Sequence, residues 1–276
     1  MLRAITGALY VVVLIGSLLW SDKSFAIFFA AVAGLSVWEF CTVVNNHVGA
    51  SINRFIATTG SVAFVLAMWQ ACSIAPSYQL FLPFLATMLY LLISELYRHE
   101  TNPLKNWGFA FAAQMYITLP LSMIFFLGYR YDAMADTLAY DFVLPLSVFI
   151  FLWTSDTGAY LFGSALGKRI PYKLFPRISP NKSWVGSIGG GLLTMAVAAL
   201  LWYCFEGKLT LLQWMGLGLT VCVFGTWGDL VESLFKRQLG IKDSGKILPG
   251  HGGMLDRFDS ALLAIPAAVI YLILAT

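Results

Sequence analysis

Nine stretches of this chain run for about twenty residues with almost no charge, and that pattern leaves few ways to fold. They are Leu2–Trp20, Phe25–Val44, Phe55–Ile74, Leu80–Tyr97, Trp107–Gly128, Phe142–Phe162, Gly186–Phe205, Leu209–Gly228 and Phe258–Ala275. A hydrocarbon core about 30 Å thick takes about 20 apolar residues per helical crossing. Backbone groups cannot stay unpaired in lipid, so a spanning segment must be a helix or part of a closed barrel. Continuous apolar runs, rather than short alternating ones, select helices. Only 11% of the 276 residues are charged, where a soluble domain carries roughly a quarter. The sequence predicts an all-α, polytopic integral membrane protein with about nine transmembrane helices. The first run lacks a small-x-small cleavage pattern before Ser21, since Leu18, Leu19 and Trp20 are bulky, and reads as a retained helix.

Basic residues set the orientation. With the N-terminus inside, the inner loops hold Arg3, Arg54, Arg98, Lys105, Lys168, Arg169, Lys173, Arg177, Lys182, Lys236, Arg237, Lys242, Lys246 and Arg257. Only Lys23, Arg130 and Lys208 fall outside, a split of 14 to 3 among the 17 Lys and Arg. That bias predicts a cytoplasmic N-terminus and an external C-terminus. The net charge of +3 does not suggest nucleic acid as a partner, and the two basic loops suit lipid headgroups or phosphates. The cysteines Cys41, Cys72, Cys204 and Cys222 lie in or at the ends of apolar spans, show no zinc spacing, and read as packing residues.

The chain divides by polar content into residues 1–130, a helical scaffold, and 131–276, the helices that carry the chemistry. In the first part, Glu39, Glu95 and Glu100 lie near inner helix ends, where headgroups solvate them, and Glu95 stands one turn from Arg98. In the second part, Asp156 interrupts an apolar helix within Ser155-Asp156-Thr157. An ionisable residue inside a span marks a functional site, the alternative being a hydrogen bond between helices. The loop 167–183 carries five basic residues, three prolines and the run Ser179-Pro180-Asn181-Lys182-Ser183. Hydroxyls and ammonium groups at a helix start hold phosphate oxygens well. A loop that only sets topology would explain the charge but not this order.

Asp229, Glu232, Ser233, Lys236 and Arg237 have offsets of 0, 3, 4, 7 and 8, which is one face of an α-helix. Beyond them come Lys242-Asp243, Gly245, Pro249-Gly250-His251-Gly252-Gly253 and Asp256-Arg257-Phe258-Asp259. Asp256 and Asp259, with Asp229 and Glu232 on the preceding helix, are suited to a hard divalent ion such as Mg²⁺, which keeps waters and substrate phosphates in its shell. Nearby Arg and Lys neutralise a polyphosphate. This is equipment for phosphoryl or nucleotidyl transfer, with a structural ion-pair cluster as the plainer alternative.

The run from Ser233 to Asp259 resembles, in order and spacing, the signature of the phosphatidate cytidylyltransferases, or CDP-diacylglycerol synthases. The positions that carry the resemblance are Ser233, Lys236-Arg237, Lys242-Asp243, Gly245, Leu248-Pro249, His251-Gly252-Gly253, Asp256-Arg257 and Asp259. Ser155-Asp156-Thr157-Gly158-Ala159-Tyr160 and Ser179-Pro180-x-Lys182-Ser183 are similar to two further motifs of that family. One position departs: where family members commonly carry an acidic residue after the second of these motifs, this chain has Val185.

The resemblance implies conversion of CTP and phosphatidic acid to CDP-diacylglycerol and pyrophosphate at the inner face of a plasma membrane. It implies Mg²⁺, assisted by K⁺, and a homodimer. Carried to matching positions, it makes Asp229 and Asp256 the metal ligands, with Asp259 in support and Lys236 beside them. Lys182, Arg237, Lys242 and Arg257 then face phosphates, Ser179, Ser183 and Ser233 donate hydrogen bonds, and Asp156 and His251 complete the substrate-binding set. Competing readings are a secondary transporter, which the unlike halves of the chain disfavour, and an enzyme using another lipid acceptor, such as a polyprenol kinase.

Overall fold

Each of the nine apolar runs becomes helix along most of its length. The structure is a computed structural model and describes residues 2–99, 102–132, 136–167, 169–245, 247 and 252–276. The chain is an all-α polytopic membrane protein. Among the described residues, seven helical segments are long and apolar enough to cross a membrane: Asp22–Val48, Arg54–Cys72, Tyr78–Tyr97, Pro103–Gly128, Trp184–Cys204, Leu211–Gln238 and Leu255–Ala275. The first run is a helix whose described apolar part, Thr6–Trp20, is shorter, and the sixth is a 24-residue helix, Val143–Leu166, continuous through Asp156.

The chain forms two compact units. One comprises Met1–Phe142 and Ile241–Phe258, and the other Val143–Gly240 and Asp259–Thr276.

In the first unit, α1 (Leu2–Trp20) is followed by α2 (Asp22–Val48), whose start is a reciprocal cap between Ser21 and Ser24. Helix α2 stops at Gly49, which takes the left-handed conformation (φ 71°) that glycine adopts without strain. Helix α3 (Arg54–Cys72) is capped by Asn53, α4 covers Leu82–Ser94, and α5 (Pro103–Ala113) starts on Asn102 with Pro103 in its first turn. The sequence predicts one continuous fifth span, but the structure breaks it into α5, a π turn over Gln114–Thr118, α6 (Leu119–Ser122) and α7 (Phe125–Gly128). Pro120 explains the break, because it removes a backbone donor and crowds the preceding turn. Polar side chains stabilise the widened turn: Gln114 Nε2 donates to Ala57 O (3.0 Å), and Thr118 Oγ1 lies 2.7 Å from Ser61 Oγ. Phe25, Phe29 and Phe125 form the buried aromatic centre, with ring centroids 5.0–6.4 Å apart.

A hairpin of β1 (Tyr129–Asp132) and β2 (Thr137–Tyr140) closes this unit. Tyr129 donates to Asp22 Oδ2 at 3.1 Å. Burial and the Asp22 carboxylate push its phenol well above the usual range, so it stays a donor.

Two glutamates assigned to headgroup solvation are buried instead, Glu39 at 3% and Glu95 at 6% exposure. Glu95 accepts from Arg98 (3.0 Å), the partner its spacing suggests, and from Asn106 Nδ2 (2.8 Å), whose Oδ1 takes the Ser51 amide. A carboxylate with two such donors is satisfied without water.

The second unit packs α8 (Val143–Leu166), α9 (Trp184–Cys204), α10 (Leu211–Gln238) and the body of α11 (Leu255–Ala275). A hairpin of β3 (Lys173–Phe175) and β4 (Ser179–Ser183) joins α8 to α9. Helices α8 and α9 meet backbone to backbone. A Cβ on Gly190 would stand 2.6 Å from Ser155 O, and one on Gly158 would stand 2.8 Å from Gly190 Cα. Small residues permit this approach, which substitutes for hydrophobic driving force in lipid. Gly190→Ala is therefore expected to destabilise the protein by about 1–3 kcal/mol, read as a lowered unfolding midpoint in detergent. Of the cysteines, Cys41 and Cys222 are buried packing residues, whereas Cys72 is half-buried and Cys204 exposed.

Candidate active site

The polar stripe read from the offsets is present on α10, which continues unbroken to Gln238. Asp229 Oδ1 accepts from Ser233 Oγ one turn on, at 3.1 Å. Glu232, with no exposed surface, pairs with Lys236 at i+4. A carboxylate so deep persists as an anion only beside a cation, so the middle of the stripe is interior rather than a solvated face. Lys236 and Arg237 occupy the last turn, where cations complement the negative helix end.

Lys182 reaches the same helix from β4, placing Nζ 2.6 Å from Asp229 Oδ2. The strand that carries it ends at Ser183, which caps α9 by accepting the Gly186 amide at 3.2 Å. The motif Ser179–Ser183 is thus a strand leading into a helix start, not an irregular loop. Its register brings Lys182 inward to a half-buried position and leaves Ser179 half-buried and Pro180 exposed.

Between these elements lies a cavity of about 210 Å³, lined by Ser155, Asp156 and Tyr160 of α8, by Lys182 and Ser183, and by Thr226 of α10. The aspartate that interrupts the sixth apolar run therefore lines a polar cavity. Asp259, in the second unit's part of α11, lies within electrostatic range of Asp229, Lys236 and Asp156. Gly228 makes this closeness feasible, because a Cβ there would stand 2.6 Å from Asp259 O.

The first unit contains the glycine-rich part of the signature. Asp256, in the first turn of α11 and 8% exposed, gathers the loop ahead of it. Its Oδ2 accepts the amides of Ser244 (2.9 Å) and Gly253 (2.7 Å). Gly252 takes φ 82°, a conformation that an L side chain rarely adopts. Glu39, from α2, enters the same loop: its Oε2 accepts from Leu255 N (3.0 Å) and Ser244 Oγ (3.3 Å). Lys242 and Arg257 are exposed, as is Arg237 in the second unit. His251 lies outside the described residues, with Leu248 and Pro249 of the signature.

The structure thus brings Asp156, Lys182, Ser183, Asp229, Ser233, Lys236 and Asp259 together in the second unit, while Lys242, Asp256 and Arg257 belong to the first.

Asp229 and Asp256 each offer carboxylate oxygens, the donors a hard divalent cation requires, and the Lys182 ammonium on Asp229 shows that this carboxylate accepts positive charge. No three His, Cys, Asp or Glu among the described residues gather tightly enough to enclose an ion alone.

Residues 1–275 match the cytidylyltransferase family. The chain belongs to that family. Curated relatives called phosphatidate cytidylyltransferase lie close to it. The one from Staphylococcus aureus (strain COL) is 48% identical over 128 residues, covering 46% of this chain and 48% of the relative. The one from Staphylococcus haemolyticus (strain JCSC1435) is 44% identical over 145 residues, covering 52% and 53%. The chain spans about half the length of the curated relatives it matches. For a cytidylyltransferase-family chain, two features escaped the sequence reading. One is the burial of Glu232 against Lys236, and the other is the engagement of Glu39 with the signature loop. The first was legible in the i, i+4 spacing, whereas nothing local signalled the second.

Proposed function

We propose that this protein transfers a cytidylyl group from CTP to phosphatidate, giving CDP-diacylglycerol and pyrophosphate at the cytoplasmic face of a plasma membrane. The observation that carries this reading is the Ser233–Asp259 signature in a chain that matches the cytidylyltransferase family along its length. The name borne by the staphylococcal relatives supports phosphatidate as acceptor. The 14 to 3 bias of Lys and Arg supports the N-in orientation that turns the signature toward cytoplasmic CTP.

The chemistry asks little of a general base. A phosphatidate oxygen, already anionic, attacks the α-phosphorus of CTP. A new P–O bond forms, the bond from the α-phosphorus to the α–β bridging oxygen breaks, and pyrophosphate leaves with the electron pair. The obstacle is repulsion between two polyanions, so catalysis is positioning and charge neutralisation. Lys182 and Lys236 sit against Asp229 and Glu232, where local carboxylates hold them in place for phosphate oxygens. Ser179, Ser183 and Ser233 supply hydroxyl donors; Arg237, Lys242, Arg257 and His251 face the triphosphate, and Asp156 the acceptor side of the cavity. Asp229 and Asp256 would hold Mg²⁺, with Asp259 in support and K⁺ assisting. When bound, the ion supplies charge stabilisation at the phosphates. A homodimer in the membrane completes the reading.

The test is transfer of label from [α-³²P]CTP into chloroform-soluble lipid by the purified protein in detergent, with and without phosphatidate. Label that appears only with phosphatidate supports the proposal. Label entering lipid without phosphatidate, or with a polyprenol instead, overturns the acceptor, and no transfer at all overturns the activity.

A further inference from the structure

The signature loop is built around two carboxylates, and one of them comes from the other end of the chain. Asp256 holds the loop from within, through the Ser244 and Gly253 amides. Glu39 holds it from α2, through the Ser244 hydroxyl and the Leu255 amide. Ser244 is shared, its amide going to Asp256 and its hydroxyl to Glu39. The two carboxylates lie within electrostatic range of each other.

Glycines of the signature find a reason here. A Cβ on Gly245 would collide with the Glu39 carboxylate, and one on Gly253 would collide with both Glu39 and Ser244 Oγ. The loop backbone is therefore moulded onto Glu39, whose carboxylate takes backbone hydrogen bonds at Met254 and Leu255 as well as the Ser244 hydroxyl. Burying a carboxylate costs more desolvation than hydrogen bonds alone return, so simple stapling of the fold is a poor account of it.

We infer that Glu39 is a positioning residue for Asp256. It fixes Ser244, Gly253 and the first turn of α11, and thereby the direction in which Asp256 presents its carboxylate to a divalent cation. The inference rests on the metal role proposed for Asp256. It assigns a function to the N-terminal half, which carries no motif of its own.

Three measurements on the full chain in detergent test it, with Glu39→Ala and the near-isosteric Glu39→Gln. Hydrogen exchange reads the Ser244, Gly253 and Leu255 amides, Mn²⁺ binding followed by EPR reads the cation site, and thermal unfolding reads global stability. In Glu39→Ala the Leu255 amide is expected to exchange at least about tenfold faster, since its opening no longer breaks a bond to a carboxylate, and the Ser244 and Gly253 amides, still held by Asp256, are expected to exchange faster to a smaller degree as the Ser244 hydroxyl loses its anchor. Mn²⁺ affinity is expected to fall about 10- to 100-fold, the usual cost of removing a group that orients a metal ligand. Glu39→Gln keeps one acceptor oxygen and should fall between Ala and wild type on both readings, with its unfolding midpoint near wild type.

Wild-type exchange and wild-type Mn²⁺ affinity in Glu39→Ala would overturn the inference. So would a loss of affinity in Glu39→Gln accompanied by faster exchange throughout helices α2 and α3, which marks general unfolding. If the wild-type protein transfers no label from CTP, the activity assignment fails by itself, and the exchange and Mn²⁺ readings still decide the part played by Glu39.

Discussion

Asp256→Asn will lower cytidylyl transfer by about a hundredfold or more while leaving the protein folded. Both halves of that expectation come from the same few atoms. Asp256 Oδ2 accepts the Gly253 amide and the shorter of two bonds from the Ser244 amide, so an asparagine Oδ1 in its place keeps both. The Asn amide group then falls where Asp256 Oδ1 lay and loses only the longer, 3.2 Å bond from the Ser244 amide, a modest mismatch of two donors. What disappears is the negative charge. A cation on phosphates contributes several kcal/mol of transition-state stabilisation, and each 1.4 kcal/mol lost is about tenfold in rate. The measurement is turnover at saturating CTP and phosphatidate, with circular dichroism and the unfolding midpoint as controls. Chelating divalent ions in the wild-type assay should reach the same floor. Turnover that survives either treatment would remove Asp256 from the chemistry and leave it a loop-capping residue.

Why this site was only partly legible in the sequence follows from the range of its interactions. The stripe on α10 could be read because Asp229, Ser233, Glu232 and Lys236 interact one turn apart, and helical periodicity makes that arithmetic certain once the helix is granted. Spans were legible for a similar reason, since lipid leaves a continuous apolar run little choice but helix. The break at Gln114–Thr118 was written in Pro120, but its polar stabilisation by Ala57 and Ser61 was not, because those partners lie 57 residues away. Glu39 is the extreme case, reaching Ser244 across 205 residues and Leu255 across 216. A lone glutamate near a helix end looks like an interfacial charge, and only packing reveals that the signature's glycines are shaped to receive it. The short hairpins were also missed. Strands of three to five residues have no apolar alternation to announce them.

Replacing Lys182 with Met should cost about 10- to 100-fold in kcat/KM, and replacing it with Arg should restore only part. Lys182 is the one motif cation that both lines the cavity and contacts a proposed metal ligand among the described residues. Its pairing with Asp229 is partly open to solvent, at 25% and 33% side-chain exposure, so its worth as a fold staple is small. Methionine keeps the apolar stem and packing of the side chain, so stability should change little. A phosphate transferred beside an unneutralised Asp229 meets repulsion where it formerly met an ammonium group, and losing one such charge-assisted hydrogen bond accounts for a drop of this size. Arginine retains the charge, but its planar fork is longer and cannot reproduce a single point donor held 2.6 Å from Asp229 Oδ2. If Lys182 serves the phosphates, raising CTP or phosphatidate will recover part of the rate in Lys182→Met. If it merely neutralises Asp229, the double variant Lys182→Met/Asp229→Asn will be as active as Asp229→Asn alone. That second result would overturn the phosphate-binding role.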